Sequence, residues 1–368
     1  MIRGQRRRRF SFPAVKRNEP VLHYTPVHKR ILVFTAVAAV LLSSTDIAAG
    51  SRRRHPIDAM RPLPGGLGVL PALPGNRENP ITPAKFELGR QLFEDARLSG
   101  DESLSCASCH PREMAYTEAV PFSEGAGGQP MPRHTPTILN AAYYRYINWD
   151  GKFTTIPDLV LAVLANPRNM NMQDENVLVA RLESVPAYRE QFRALFGGRP
   201  TKQRVALAID AYVRALTTPN SPFDRYAAGN TAALTDAQKH GLELFVGKAE
   251  CAMCHRGPNF EDDQFHALGI GGDDAGRFKV TGIEADRNAF KTPTLRNVAL
   301  TAPYMHDGSL ATLREVIDFY NAGGGHHEPK SVLLRKLNLT KKEKADLVAF
   351  LESLTGTVEK MEMRTAAK

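Results

Sequence analysis

Two five-residue segments hold the residues best suited to chemistry, Cys106-Ala-Ser-Cys109-His110 and Cys251-Ala-Met-Cys254-His255. Together they use all four cysteines of the 368-residue chain. Thiols three residues apart can form thioethers to the two vinyl groups of one porphyrin, and the histidine that follows then falls under the iron as its proximal ligand. Each segment therefore reads as an attachment site for one covalent haem c. The competing readings are two disulfides or one zinc site shared by both pairs. Neither needs a histidine directly after each second cysteine.

The elements that position these motifs are helical. Thr82-Pro83 reads as an N-cap with Pro at the first helical position, leading into Phe86, Gly89, Leu92 and Phe93 on one face. The pattern recurs at Thr235-Asp-Ala-Gln238, a capping box, leading into Gly241, Leu244 and Phe245. Both helices carry Gly-x-x-Leu-Phe and a CxxCH follows each, which is an internal duplication. Between the copies, Val177–Leu182, Tyr188–Phe196 and Val205–Leu216 have helical spacing, with Gly197-Gly198 and Pro219 as stops. Strand patterns are scarce. The expected fold is mainly α, with two cytochrome c-like helical domains over residues 81–225 and 226–358, each with one covalent haem, and a tail at 359–368.

Ahead of the domains, Arg3 to Arg9 and Lys29-Arg30 precede the apolar run Ile31–Leu42, and small residues follow at Ala48-Ala49-Gly50. This predicts a signal peptide over residues 1–49, with an uncleaved N-terminal anchor as the alternative. The run is shorter than the twenty or so residues a bilayer span takes. Either way the body lies outside the cytoplasm, and the periplasm is the expected location. Residues 50–80 are rich in Pro and Gly and predict a linker or extended arm. The formal net charge of +9 comes from the first 60 residues, where twelve Lys/Arg face three acids. The neutral remainder argues against a nucleic-acid partner.

The sequence resembles the bacterial di-haem cytochrome c peroxidases and, among them, the MauG branch. The likeness rests on Leu88-Gly89-Arg90-x-Leu92-Phe93-x-Asp95-x-Arg97-Leu98-Ser99 before the first motif and Pro132-Arg133-x-x-Pro136-Thr137 after it. It continues through Trp149-Asp150-Gly151, the string Leu295–Gly308 and Phe319-Tyr320-Asn321. The resemblance implies an oxidoreductase whose C-terminal haem takes electrons from a small periplasmic cytochrome c or cupredoxin, or from a protein substrate. Trp149, the chain's single Trp, would bridge to an N-terminal haem that meets hydrogen peroxide; packing is its alternative role. His110 and His255 would be proximal ligands. No His stands near Ala126, where resting peroxidases supply a distal ligand, so the first haem should be open. Tyr320 stands at the second haem's other axial position, with Met305 as the competing donor and a structural Tyr as the third reading. His306 would support the electron-accepting side.

The departures matter as much. Leu159 and Asn169 stand where the family has Gln and the Glu that moves the peroxide proton. An amide cannot shuttle a proton as a carboxylate does, and loss of a general acid/base costs ~10²–10⁴-fold. Glu124 and Glu175 are the carboxylates that could substitute. Peroxide turnover is thereby placed in doubt, and an electron-transfer cytochrome or a haem sensor becomes the alternative function. His134 replaces an Asn that helps hold calcium beside the carbonyls of Thr301 and Pro303, and imidazole suits that hard ion poorly. His240, His266 and the pair His326-His327 read as surface residues, with no third metal.

Because every cysteine lies in a CxxCH, the chain matured with the haem-attachment machinery should carry two haem masses in intact-protein mass spectrometry. One haem or none would refute the pairing of motif and cofactor.

Overall fold

In the computed structural model residues 55–358 are described; the expected signal peptide at 1–49 and the tail at 359–368 lie outside them. The helices in chain order are α1 (Pro83–Glu94), α2 (Cys106–Cys109), α3 (Ile156–Ala165), α4 (Glu175–Glu183), α5 (Pro186–Phe196), α6 (Lys202–Ala215), α7 (Pro222–Ala227), α8 (Asp236–Val246), α9 (Phe278–Thr281), α10 (Leu313–Asn321) and α11 (Lys341–Glu352). Two short antiparallel strands, β1 (Phe265–Ala267) and β2 (Ala289–Lys291), pair with His266 opposite Phe290. The fold is mainly α, built on two cytochrome c-like cores.

The capping chemistry fixes where the main helices begin. The Thr82 side chain accepts from Lys85 N at the start of α1. Reciprocal capping boxes open α8 at Thr235 and α11 at Thr340, and each satisfies donors that the first turn leaves without partners. The duplicated Gly-x-x-Leu-Phe has a packing reason. In the first core α1 crosses α6 so closely that a Cβ on Gly89 would collide with the Ala208 carbonyl and Tyr212 Cβ. In the second, α8 crosses α11, and a Cβ on Gly241 would collide with the Asp346 carbonyl and Phe350 Cβ. Leu92 and Phe93 in one core and Leu244 and Phe245 in the other are buried beside these crossings.

Two boundaries differ from the sequence expectation. Residues 55–67 are no free linker: Ile57, Leu63 and Leu67 are buried in the second core. Pro56 and Pro64 each start a 3₁₀ turn, and Asp58 pairs with Lys239 at 2.9 Å. Three apolar residues without helical or strand spacing left no periodic mark in the sequence. The chain then turns to the first half, where Pro71 O accepts from Tyr143 and the Asn79 side chain donates to Leu207 O and Asp210. Likewise α7, which the expected boundary at 225/226 divides, sends both Phe223 and Tyr226 into the second core. At the other end Val358 packs against the first core, so each end of the described chain rests on the half remote in sequence.

Arg296 ties these pieces together. Its side chain is fully buried and bonds both Asp224 oxygens of α7 at 2.9–3.0 Å, Pro258 O in the second cysteine loop and Gly68 O in the arm. A buried charge is tolerated when its donors are all used. Asp224→Asn leaves the guanidinium without its counter-charge and should cost about 3–5 kcal/mol of stability. Chemical denaturation of the haem-loaded protein checks this; an unshifted midpoint would show that the pair holds nothing.

Candidate functional site

Each CxxCH sits on a single helical turn, and the geometry of its histidine is the same in both halves. His110 Nδ1 lies 2.9 Å from Tyr116 O, and His255 Nδ1 lies 3.0 Å from Phe260 O. A carbonyl only accepts, so Nδ1 carries the proton and Nε2 keeps a free lone pair. Both carbonyls come from residues with left-handed backbone, Tyr116 at φ 56° and Phe260 at φ 55°. For bulky side chains that conformation costs energy and marks a position held for a purpose. Burial lowers the pKa of both imidazoles, that of His255 to about 4, so the rings are neutral donors. Burial also pushes the thiols of Cys106 and Cys251 up to about 12 and that of Cys109 to about 11. All four thiols are unpaired.

A cavity of about 390 Å³ opens beside the second motif, lined by Cys251, Cys254, His255, Ile317 and Tyr320 and extending to Trp149. Its volume is that of a cofactor site. Two thiols, one neutral imidazole with a free Nε2 and apolar walls make a donor set that fits a covalent haem. The first motif presents the same thiols and the same histidine geometry. Tyr320, on α10, is half-buried in the cavity wall, and its phenol has no hydrogen-bond partner among the described residues. Burial raises its pKa, with the nearby Cys251 and Cys254 adding to the effect. Met305 lines the same cavity but adjoins His306, at the end where His134 N bonds His306 O.

Trp149 lies where the two halves meet. Its indole Nε1 donates to His134 O at 2.8 Å, while its own carbonyl accepts from Lys291 N of β2 at 2.8 Å. The next residue, Asp150, pairs with Arg133, which is also held by Asp274. Arg277 bonds the carbonyls of Asp150 and Gly151 at 2.8 Å each. His306 stacks on Phe290 with ring centroids 3.7 Å apart. Sequence reasoning missed Asp274, Tyr144 and the buried ion pair of Lys291 with Glu261. The Lys291 ammonium lies 3.9 Å from the Tyr144 ring centroid. No motif marks these residues, since a Lys or Glu reads as surface until the fold closes over it.

The remaining sequence-predicted residues separate. Asn169 lies in the turn after α3, the helix that carries Leu159, and its carbonyl accepts from Ala126 N at 3.0 Å. The glycine-rich loop bearing Glu124 thus rests directly on the Asn169 turn. Glu175 is elsewhere engaged, accepting from Lys202 N at the start of α6. His134 Nδ1 bonds Val120 O, and Nε2 faces Thr117 Oγ1 at 3.4 Å. Both ring nitrogens thus have protein partners, although Thr301 and Pro303 line the same cavity. His266 is not the surface residue expected: its Nε2 lies 3.0 Å from Asp262 Oδ2, and both face Cys254 within 4.8 Å. That bond to Asp262, with the nearby thiol, raises its pKa to about 9. Because Cys254 belongs to the attachment motif, this group adds no separate metal site. His240 is half-buried against Asp346, and His326-His327 are exposed.

The di-haem cytochrome c peroxidase family profile matches residues 83–232, and a cytochrome c profile matches residues 238–355. The chain is 39% identical to the methylamine utilization protein MauG of Methylorubrum extorquens over 77% of this chain and 81% of that protein. It is 35% identical to the cytochrome-c peroxidase IdrP1 of a Pseudomonas species, over 90% and 92% respectively. Among solved structures, a MauG-like protein associated with microbial copper homeostasis superposes with a TM-score of 0.73 at 36% identity. That match covers 78% of this chain and 95% of the other. Among the described residues no helix is long and apolar enough to cross a membrane.

The buried pair beneath Trp149 has a pH signature. Burial pushes the Glu261 carboxyl up to about 7, against the pull of Lys291. In the unfolded chain a Glu titrates at about 4.3, so the folded protein binds this proton more tightly. The resulting stability is fully present below the unfolded value and is lost as pH rises through about 7. Thermal midpoints should therefore fall with rising pH between those values more steeply in the wild type than in Glu261→Gln. Parallel curves would show that Glu261 does not titrate there.

Proposed function

We propose, for a chain that belongs to the di-haem cytochrome c peroxidase and MauG family, that it is a periplasmic oxidoreductase in which Trp149 relays electrons between its two haem sites. Cys106, Cys109 and His110 hold the first haem, and Cys251, Cys254, His255 and Tyr320 hold the second. When bound, the haems supply irons of changeable oxidation state, the first open to hydrogen peroxide or a related oxidant and the second fed by a donor. A phenolate from Tyr320 is a hard anionic ligand that favours oxidised iron. Reaching that form at neutral pH needs the metal to displace the phenolic proton, since burial alone holds it on.

The observation that carries this reading is the pair of bonds at Trp149. Its side chain is fixed to the His134 segment of one half and its backbone to β2 of the other. The indole N–H donates to a carbonyl, which cannot take the proton. Trp149 can therefore pass charge while remaining protonated, and nothing has to move when the charge returns. The Arg133–Asp150–Asp274 clamp and Arg277 hold the ring in register.

Proton delivery at the first site is the weak link. Asn169 cannot replace a carboxylate, and Glu124 is the acid on the loop that touches its turn. Those substitutions favour a second reading, an electron-transfer cytochrome or haem sensor with an altered pocket. The donor is a small periplasmic cytochrome c or cupredoxin, or a protein substrate is oxidised directly. Calcium is left without a side-chain ligand at His134 and would rest on the Thr301 and Pro303 carbonyls.

Stopped-flow mixing of the haem-loaded protein with hydrogen peroxide tests the reading. The wild type should show haem absorption changes within milliseconds. Trp149→Phe should keep both haems yet slow electron exchange between them. Asn169→Glu should speed the peroxide step by about an order of magnitude or more. Inert haems in the wild type, left inert by the glutamate, would overturn the enzyme reading in favour of the second.

A further inference from the structure

The two halves solve the same packing problem with different side chains. In the second core the residue whose carbonyl holds the proximal histidine is Phe260, and the residue facing the Gly241 crossing is Phe350. The corresponding positions of the first core, beside His110 and the Gly89 crossing, hold Tyr116 and Tyr212. The rings superimpose in role and spacing. Phe245 lies 6.1 Å from Phe260 and 5.1 Å from Phe350, while Phe93 lies 6.3 Å from Tyr116 and 5.2 Å from Tyr212. The fold thus packs with phenylalanine at both places. The two added hydroxyls lie 3.0 Å apart and bond each other inside the core, with each residue 3% exposed or less. A phenol differs from a phenyl ring chiefly in being readily oxidised, and this pair stands only in the half that meets the oxidant.

We infer that Tyr116 and Tyr212 form a redox-active pair that gives an electron to the first haem site when no external donor supplies one. The inference rests on the peroxide reading of that site. One tyrosine loses one electron to the oxidised site, which is reduced by one, and its phenolic proton leaves with it. That proton passes to the partner's hydroxyl oxygen, 3.0 Å away, as the partner gives up its own proton, with Glu94 as the final acceptor. Both phenols feel the charge of this acid, which lies at the exposed end of α1. The product is a neutral phenoxyl radical, and a later donor restores the electron as the proton returns. Tyr116 is joined to the site through its own carbonyl, which accepts from His110 Nδ1 at 2.9 Å. Burial raises both phenol pKa values, so each starts protonated.

The test is rapid freeze-quench electron paramagnetic resonance of the haem-loaded protein after peroxide without donor, with ring-deuterated tyrosine incorporated. The wild type should give an organic radical whose line narrows on deuteration, and Tyr116→Phe and Tyr212→Phe should each lose it. Both variants should fold and load haem, because the second core carries phenylalanine at both equivalent places. A radical insensitive to tyrosine deuteration would overturn the inference. So would one that survives in both variants, or haem oxidation without any organic radical. If peroxide leaves the haem absorption unchanged, the peroxide reading fails. The pair is then oxidised with a photogenerated ruthenium(III) complex instead, and absence of the tyrosine radical there overturns the inference as well.

Discussion

Much of this architecture bears on how each CxxCH histidine is held, with Nδ1 fixed on a backbone carbonyl and Nε2 left with a free lone pair. An imidazole free to rotate or to change tautomer makes a poor iron ligand, so each half spends a backbone carbonyl on Nδ1. Supplying that carbonyl requires a left-handed residue directly behind the CxxCH loop, and holding a bulky residue there requires an aromatic core to grip its side chain. The close α1–α6 and α8–α11 crossings, made through Gly89 and Gly241, build that core. Helix start signals, small residues at the crossings and aromatic residues around them are thus consequences of one ligand geometry.

The halves diverge where their chemistry differs. The second half is apolar and phenyl-lined behind its histidine, sets Tyr320 in the wall of its cavity, and is braced by the buried Arg296 and by the arm at residues 55–67. The first half carries paired phenols behind its histidine and a glycine-rich loop over the Asn169 turn. A scaffold that supports the same attachment twice leaves the second axial side, and the side chains behind the ring, free to set what each site does.

Between them, Trp149 is held by its own two hydrogen bonds, and its neighbours by charges. Arg133, Asp150, Asp274 and Arg277 form a partly buried network across the junction, and Lys291 with Glu261 adds an ion pair that is almost fully buried. Such networks are expensive to desolvate and tolerate little displacement once formed. They fix a ring position more sharply than non-directional apolar contacts would. The same property explains why His134, bonded through both ring nitrogens and through its carbonyl, is a structural part of the junction.

The sequence by itself determined the attachment chemistry, the two helical halves and their order, because CxxCH, N-caps and Gly-x-x-Leu-Phe act over a few residues and leave a local mark. It also singled out Trp149 and Tyr320 as candidates, through the likeness of the strings around them. Only the tertiary structure decided the rest. It sent residues 55–67 and α7 to the second core, buried Glu261 and Lys291, drew His266 to Asp262, and paired Tyr116 with Tyr212 across 96 positions. These outcomes depend on contacts between residues far apart in the chain. No spacing rule records such contacts, and the cost of burying a charge or a hydroxyl is set only when the fold supplies, or withholds, its partner.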